Sequence, residues 1–344
     1  MKPVKTLLAI GMAAACTMAI GQDASDYQTP RTEWGQPDLQ GVWNFSSDTP
    51  MVRPARFGER EFLTDEEEQQ LAARMAALAA QAEAEPDPSL ANRDAPPPSD
   101  NPGGYNDFWI EQAGIGLRHR TSHIVYPLNG QLPARVEGAP VQRGGLGPDI
   151  PGERPVRYTV GGIAKDGPED RGLSERCIVG FNSGPPFVPS MYNNNLQIFQ
   201  SKDHAVLLTE MIHDARIVPI TDRAHVDEDI RLWSGDSRGY WEGDTLVVVT
   251  KNFTDLTVSF SAFGTSEEKV LTERFTRVAY DTVNYEWTIE DPATFTDKIS
   301  AIVPMTKVAG QLYEYACHEG NYGMVNILRG ERMEEARAVA ESSR

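Results

Sequence analysis

Three consecutive β-runs decide the fold: YWEGDTLVVVTKNF at residues 240–253, VLTERFTRV at 270–278 and TVNYEWTIED at 282–291. In the third run bulky apolar residues alternate strictly with polar ones, and the apolar members are Val283, Tyr285, Trp287 and Ile289. A period of two places the apolar groups on one face of a strand, which no helix can do. Short polar turns join the runs. The sequence therefore predicts an antiparallel sheet in this half of the chain.

The first 21 residues have the pattern of a secretory signal peptide. Two lysines precede a short apolar core, and small residues lead to a cleavage site before Gln22. Cys16 suggests a lipoprotein as an alternative, but the alanines before it differ from a leucine-led lipobox. No later segment approaches the roughly 20 apolar residues of a membrane span. We therefore expect a periplasmic or extracellular protein with no transmembrane segment.

The net charge restricts the classes of partner that the protein can bind, and the cysteines indicate the state of its thiols. A net charge of −18 argues against nucleic acid and anionic membranes as partners and favours solubility. The sequence does not determine the oligomeric state. Once the signal peptide is removed, Cys177 and Cys317 remain, and two cysteines in an oxidising compartment predict a disulfide. A free catalytic thiol is the alternative.

The chain divides into five segments. They are the signal peptide at 1–21, a leading segment with a first strand at 22–53, a helical and loop-rich insertion at 54–190, the antiparallel β-region at 191–328 and a C-terminal helix at 329–344. In the insertion, Thr64 and Glu67 have the spacing of a capping box and predict the start of a helix. A proline-rich stretch at 86–104 predicts an extended loop.

Two resemblances refine the fold. EGDTLVVVTKNF, KVLTERFTRV and VNYEWTIE are similar to the late strands of calycins, and Gly41-Val42-Trp43 resembles the Gly-X-Trp opening of lipocalins. This implies a mainly β protein: an antiparallel calycin-like barrel or a strongly curved sheet. GDSRGYWEGDTLVV and YEYACHEGNYGM resemble a widespread family of exported bacterial proteins known mostly from genomes, which implies no specific activity.

The segment after residue 204 predicts a strand with two titratable groups. Glu210 and His213 fall on opposite faces that are both largely apolar, so we expect them to be partly buried. Burial raises the pKa of a carboxyl group and lowers that of histidine, which favours proton exchange near neutral pH. Arg216 follows, where it could bind an anionic group. A structural His-Asp-Arg corner is the alternative.

The tract RLWSGDSRGYWE, residues 231–242, groups polar residues around glycines. Asp236 and Arg238 could orient a polar substrate, and an ion pair supporting a hairpin is the alternative. Residues 235–239 match the Gly-X-Ser-X-Gly pattern of serine hydrolases. A β-run rather than a helix follows, however, which argues against a nucleophile elbow.

A last strand is predicted at 312–319, with His318 beside Cys317. His119 and His123 have a spacing compatible with a metal, but no strong metal motif is present. The asparagine run 193–195 could offer amide hydrogen bonds at a pocket mouth, but the pattern favours a turn.

Together these patterns predict an exported enzyme that uses acid–base catalysis without an organic cofactor, a metal being left open. Its substrate would be a small, partly aromatic molecule that undergoes elimination, isomerisation, or ether or ester cleavage. The predicted catalytic residues are His213 as base or acid, Glu210 or Asp236 as its partner, and Arg238 or Arg216 as the anion stabiliser. The predicted substrate-binding residues are Arg216, Asn194, Tyr315, His318 and Trp241. The alternatives are a lipocalin-like carrier of an apolar ligand and a non-catalytic envelope protein.

Overall fold

The structure is a computed structural model that describes residues 27–84, 118–139, 166–171, 173–254, 263–264 and 266–343. The predicted signal peptide with Cys16 and the proline-rich stretch at 86–104 lie outside these residues. The strands are β1 Gly41–Asn44, β2 Ile124–Tyr126, β3 Asn195–Gln200, β4 His204–Thr209, β5 Ala215–Pro219, β6 Asp236–Glu242, β7 Thr245–Lys251, β8 Val270–Ala279, β9 Thr282–Glu290 and β10 Ile299–Val308. The helices are α1 Asp65–Ala84 and α2 Tyr322–Ser342, with 3₁₀ turns at Ala55–Phe57, Pro168–Asp170 and Met211–His213.

One antiparallel sheet contains all ten described strands. Its order is β5-β4-β3-β1-β10-β9-β8-β7-β6, and β2 pairs with β10 off this path. The ladder is not closed, so the protein is a mainly β protein with an open, curved sheet rather than a fully paired barrel. The edge strands β5 and β6 nevertheless approach each other at one parallel bridge, Ile220 to Gly239. A Cβ atom at Gly239 would lie 3.0 Å from Val218 Cγ1, so glycine permits this close approach.

The alternation predicted for residues 283–290 is confirmed. Val283, Tyr285 and Trp287 are fully buried, whereas the intervening Asn284 and Glu286 are half-buried. In β8 the buried positions opposite them include Phe275, whose ring centroid lies 4.9 Å from that of Tyr285. The two strands thus direct their buried side chains, most of which are apolar, to the interior of the curved sheet.

Side chains from outside the sheet help to fill this interior. Phe187, in the loop before β3, is 1% exposed and contacts Tyr285 and Phe45, with ring centroids 5.3 Å and 5.6 Å apart. The backbone N–H of Phe187 also donates to Tyr285 Oη at 3.1 Å. The loop at residues 181–190, hereafter the plug loop, therefore covers the core where β5, β8 and β9 face each other.

Two predicted strand boundaries are wrong. The strand expected to run to residue 214 ends at Thr209, and a 3₁₀ turn at Met211–His213 redirects the chain into β5. Residues 312–319 form no strand and follow β10 as an irregular segment. In both segments the alternation of side chains in the sequence continues beyond the last residue that pairs with a neighbouring strand. Pairing with a neighbouring strand, rather than pattern, ends the element.

The predicted start of the first helix is confirmed, whereas the predicted start of the C-terminal helix, at residue 329, is wrong. The backbone N–H of Thr64 donates to Glu67 Oε2 at 2.9 Å, and the N–H of Glu67 donates to Thr64 Oγ1 at 3.3 Å, which is the predicted capping box. The C-terminal helix α2 begins earlier than expected, after an N-cap at Asn321 whose side chain accepts from the N–H of Met324. No residue of α2 is buried.

Candidate functional site

The structure distributes the predicted site residues over four places. Glu210 and His213 lie in the turn after β4, which we call the β4–β5 corner (residues 209–214). Arg216 points into the interior of the sheet, and Asp236 and Arg238 lie on the outward face of the edge strand β6. Tyr315 and His318 belong to the irregular segment after β10. The predicted catalytic set is therefore divided between the corner and the edge.

At the corner, Glu210 is a buried carboxylate with a defined orientation. It is 7% exposed, and its Oε2 accepts a hydrogen bond from Asn195 Nδ2 at 2.7 Å. Asn195 Oδ1 in turn accepts from Asn44 Nδ2 at 2.9 Å. This relay fixes which end of the Asn195 amide faces Glu210, because the oxygen is already engaged with Asn44.

His213 does not form the predicted side-chain pair with Glu210. Its backbone N–H donates to the Glu210 carbonyl at 3.1 Å, but its side chain is exposed and makes no hydrogen bond with the described part of the chain. The expectation of a semi-buried histidine is therefore wrong here. The early end of β4 is the cause, since the turn points residue 213 toward solvent.

The corner lies beside a concentration of unusual backbone geometry. Among the described residues, five other than glycine have positive φ, and four of them occur in this region: Cys177, Asn193, Ile212 and His213. Ile212, at φ 59° and ψ 17°, is β-branched, and this conformation is costly for such a side chain. The surrounding contacts must hold these residues in place.

The predicted disulfide is present in this region. Cys177 and Cys317 are joined, with Cα atoms 5.8 Å apart. Cys177 packs with Met211 and Ile212, and Tyr315 packs against the same cluster. The disulfide thus holds the irregular segment after β10 against the corner, while His318 stays exposed.

The interior contains a charged cluster that the sequence analysis identified only in part. Arg216 makes a two-pronged ion pair with Glu273 of β8, one arm being Nη2 to Oε1 at 2.8 Å and the other Nη1 to Oε2. Glu273 is fully buried, and its Oε1 also accepts from Tyr285 Oη at 2.7 Å. Arg216, which we predicted to bind a substrate anion, is therefore neutralised by a carboxylate of its own chain.

The interior environment shifts the pKa of two of these groups in the same direction. Burial raises the pKa of the Tyr285 hydroxyl well above its ordinary value, and the Glu273 charge adds to this effect. Burial acts to lower the pKa of Arg216, but the charge and hydrogen bonds of Glu273 outweigh it, so the pKa is raised. The cluster is therefore a neutral phenol beside a locked ion pair.

The burial of Glu273, and of Arg277 on the same strand, could have been predicted from the sequence. In β8 both alternate with Leu271 and Phe275 on the inward face, so each is a charged residue at a predicted core position. A charge at such a position requires a buried partner. The period of two that predicts the inward face of β9 also holds in β8, and from it Glu273 and Arg277 could have been predicted to be buried.

On β6, Asp236 orients a histidine that the sequence analysis missed. His225 Nδ1 lies 2.9 Å from Asp236 Oδ2, and the same oxygen accepts from the N–H of Val226 at 3.2 Å. Arg238 Nη1 donates to Asp236 Oδ1 at 2.7 Å. The two Asp236 oxygens thus contact three nitrogens, and the contact with Nδ1 fixes the orientation of the His225 ring and leaves Nε2 as its other nitrogen.

A second asparagine holds the loop that carries His225. Asn252, the fifth residue with positive φ, is 7% exposed and donates from Nδ2 to the carbonyls of Asp227 and Ile230 at 2.8 Å and 3.1 Å. The backbone between β5 and β6 is thereby clamped to the end of β7. The His225–Asp236 contact consequently rests on a positioned loop rather than on a mobile one.

The remaining predicted binding residues have mainly structural contacts. Asn194 is fully buried, with Oδ1 accepting from the N–H of Ser190 at 2.7 Å and Nδ2 donating to the Ser190 carbonyl at 2.9 Å. It fixes the plug loop, which agrees with the turn alternative. Trp241 faces the core from β6, and its buried Nε1–H has no acceptor in the described part of the chain.

The serine-hydrolase pattern and the predicted metal spacing have structural explanations. Ser237 is 4% exposed, and its Oγ contacts Thr250 Oγ1 at 2.9 Å inside the sheet, so it is not presented on an elbow. His123 is 1% exposed and donates from Nδ1 to the Ile302 carbonyl at 2.7 Å. The described residues contain no group of three or more candidate metal-ligating side chains.

The burial of His123 predicts a pH-dependent stability. Desolvation lowers its pKa to about 4, with Arg120 and His119 contributing in the same direction. The unfolded state, with a pKa near 6.5, binds the proton first, so this stabilisation is complete above about pH 6.5 and is lost as pH falls toward 4. We expect a loss of about 3 kcal/mol over that window, measured by denaturant unfolding at several pH values.

A matched variant isolates this contribution. In His123→Asn the side-chain Nδ2 can replace Nδ1 as donor to Ile302, but nothing titrates. Between pH 6.5 and 4 we expect the free energy of unfolding to fall less in the variant than in the wild type. The two proteins have the same carboxyl groups, so the difference reports His123. Identical pH dependence in the two proteins would contradict the role of His123.

No protein-family model matches the chain, and no curated protein has significant similarity to it. None of the helices in the described residues has the length and apolar character needed to cross a membrane.

Proposed function

We propose that this protein is an exported enzyme that uses acid–base catalysis, with His225 as the proton-transfer group. The observation that carries the proposal is the oriented ring of His225, whose Nδ1 is held by Asp236 at 2.9 Å. This leaves Nε2 available to take or give a proton. The roles predicted for Asp236 and Arg238 are retained in this proposal, and His225 replaces His213 as the histidine.

The partial burial of His225 and Asp236 supports a catalytic role for this pair. The side chains of His225 and Asp236 are 19% and 11% exposed, so their contact is shielded from bulk water but the ring can still be reached. A second pair, His204 and Asp203, has a similar contact at 3.1 Å, but its side chains are 45% and 74% exposed on a hairpin turn. Only the first pair has the desolvation and fixed geometry that proton transfer requires.

The outward face of β6 supports a small, partly aromatic substrate. Asp236, Arg238 and Tyr240 alternate on this face, and Tyr240 is 43% exposed. A phenol ring on the same strand face as a guanidinium can stack on an aromatic group, and the guanidinium, which also contacts Asp236, can stabilise developing negative charge. Elimination, isomerisation, and ether or ester cleavage all match this set, and none of them requires an organic cofactor.

The test compares two histidine variants on the purified mature protein. Wild type, His225→Gln and His204→Gln are incubated with a panel of aryl ethers, aryl esters and hydroxylated aromatics, and products are identified by mass spectrometry. We expect His225→Gln to lower the rate by roughly 10²- to 10⁴-fold, the usual contribution of a positioned acid–base group. His204→Gln should retain the wild-type rate.

Other outcomes decide between the alternatives. Turnover by the wild type that survives in His225→Gln would remove His225 from the mechanism. Binding of panel members without product, equal in all three proteins, would favour the carrier, and absence of both would favour an envelope protein. Asp236→Asn provides a further check, because an amide that donates to the ring would select the wrong tautomer and lower the rate while His225 remains.

A further inference from the structure

The two sulfurs of the disulfide have different surroundings. Cys317 is partly exposed and borders a cleft of about 340 Å³, whereas Cys177 is 5% exposed and packs against Met211 and Ile212. The cleft is lined by Ser174, Glu175, Tyr315, Ala316, Cys317, Gly320 and Asn321. A small molecule that enters the cleft therefore meets Cys317 first.

Asn321 directs a hydrogen-bond donor at the buried sulfur. Its Oδ1 accepts from the N–H of Met324 as the N-cap of α2, which fixes the direction of the amide. Its Nδ2 consequently points the other way, donating to the Glu175 carbonyl at 2.7 Å and to Cys177 Sγ at 3.5 Å. A donor in this place stabilises negative charge on Cys177 more than on Cys317.

We propose that the Cys177–Cys317 disulfide is a site of thiol–disulfide exchange with a fixed polarity. An external thiolate attacks Cys317 Sγ from the cleft, forms a mixed disulfide with it, and displaces Cys177 as a thiolate that receives the Asn321 N–H. A second external thiolate then attacks the external sulfur of the mixed disulfide and releases the Cys317 thiolate. Two external thiols are oxidised to one disulfide while the protein disulfide is reduced to two cysteines.

Charge selects the class of thiol. Glu314 and Glu319 flank the cleft residues and are exposed, and the whole chain carries −18. An anionic thiol such as glutathione is repelled, whereas a small cationic thiol such as cysteamine is attracted. We therefore assign the site to neutral or cationic thiols, including the exposed thiolate of a basic dithiol oxidoreductase.

Exchange would release the segment that the disulfide holds. After β10, the described contacts of residues 311–321 with the rest of the chain include Tyr315 packed on the corner, the disulfide, and the Asn321 bonds. Helix α2, which follows, has no buried residue. Opening the bridge therefore removes the covalent tie between residues 311–321 and the β4–β5 corner, in a region separate from the proposed acid–base site.

The experiment maps where an external thiol is captured. Native protein is treated with cysteamine for short times, quenched with acid, alkylated with N-ethylmaleimide and digested for mass spectrometry. We expect cysteamine on Cys317 and the maleimide on Cys177, with glutathione at least several-fold slower than cysteamine at low salt. Capture mainly on Cys177, or reaction no faster than global unfolding measured by hydrogen exchange, would overturn the proposal.

A substitution that keeps the helix cap tests the polarity directly. Asn321→Asp retains an oxygen for the N–H of Met324 but loses the donor to Cys177, so exchange should slow about tenfold. Asn326→Asp makes the same change at an exposed position of α2 and should react at the wild-type rate. Equal rates in the two variants, with the helix intact by circular dichroism, would show that Asn321 does not assist the leaving sulfur.

Discussion

Replacement of Glu273 by glutamine is expected to lower the free energy of unfolding by about 3–5 kcal/mol, because it leaves the buried Arg216 cation without a counter-charge. The shape of the side chain is retained, so the effect reports the charge rather than a cavity. Glu273 is fully buried and accepts from both Arg216 and Tyr285, so a neutral amide in its place would stand beside a guanidinium whose side chain is only 10% exposed. Denaturant unfolding followed by tryptophan fluorescence measures the change.

Two further variants separate the ion pair from its surroundings. The double change Arg216→Met with Glu273→Leu removes both charges, and we expect it to recover much of the stability lost in Glu273→Gln. Tyr285→Phe removes two hydrogen bonds, the one that Oη donates to Glu273 and the one that it accepts from the Phe187 N–H, but leaves the ion pair intact, so a smaller loss of about 2–3 kcal/mol is expected. A Glu273→Gln protein as stable as the wild type would show that Arg216 reaches solvent.

Removal of the disulfide has the second large expected effect. The bridge joins residues 140 positions apart, and the chain-entropy relation gives about 4–5 kcal/mol for a loop of this length. Cys177→Ser with Cys317→Ser should lower the free energy of unfolding by up to that amount. The cost arises mainly in the unfolded state, which regains the conformational freedom of the whole loop.

The controls locate the source of this effect. Wild type reduced in denaturant should match the double serine variant, because both have the same open loop. The slope of the unfolding free energy against denaturant concentration should be steeper when the bridge is absent, because a more expanded unfolded chain exposes more surface. A loss of less than about 1 kcal/mol would mean that the unfolded chain keeps the two ends of the loop together without the bond.

Trp287 and His213 show where the alternation of apolar and polar residues predicts burial correctly and where it does not. Trp287 was predicted to be buried from its alternation with polar neighbours, and it is fully buried. His213 was placed on the same reasoning in a strand that ends at Thr209, and it is exposed. Alternation is a local property, but the end of a strand depends on where its partners stop, and for β4 these are β3 and β5.

In the candidate site, too, local pattern predicts some of the contacts and not others. Asp236 and Arg238 are two residues apart on one strand, so their common face could be predicted from the period of two. His225 reaches Asp236 only because Asn252 and the end of β7 fold the intervening loop back onto β6. No short-range pattern contains that information.

Local periodicity and capping were enough to predict the mainly β character, the inward face of β9 and the helix start at Thr64, and the cysteine count was enough to predict the pairing of Cys177 with Cys317. The open sheet, the neutralisation of Arg216 by Glu273 and the contact of His225 with Asp236 became known only from the three-dimensional fold. These features join residues from strands and loops distant along the chain. Their energies come from burial and from the curvature that brings the strands face to face.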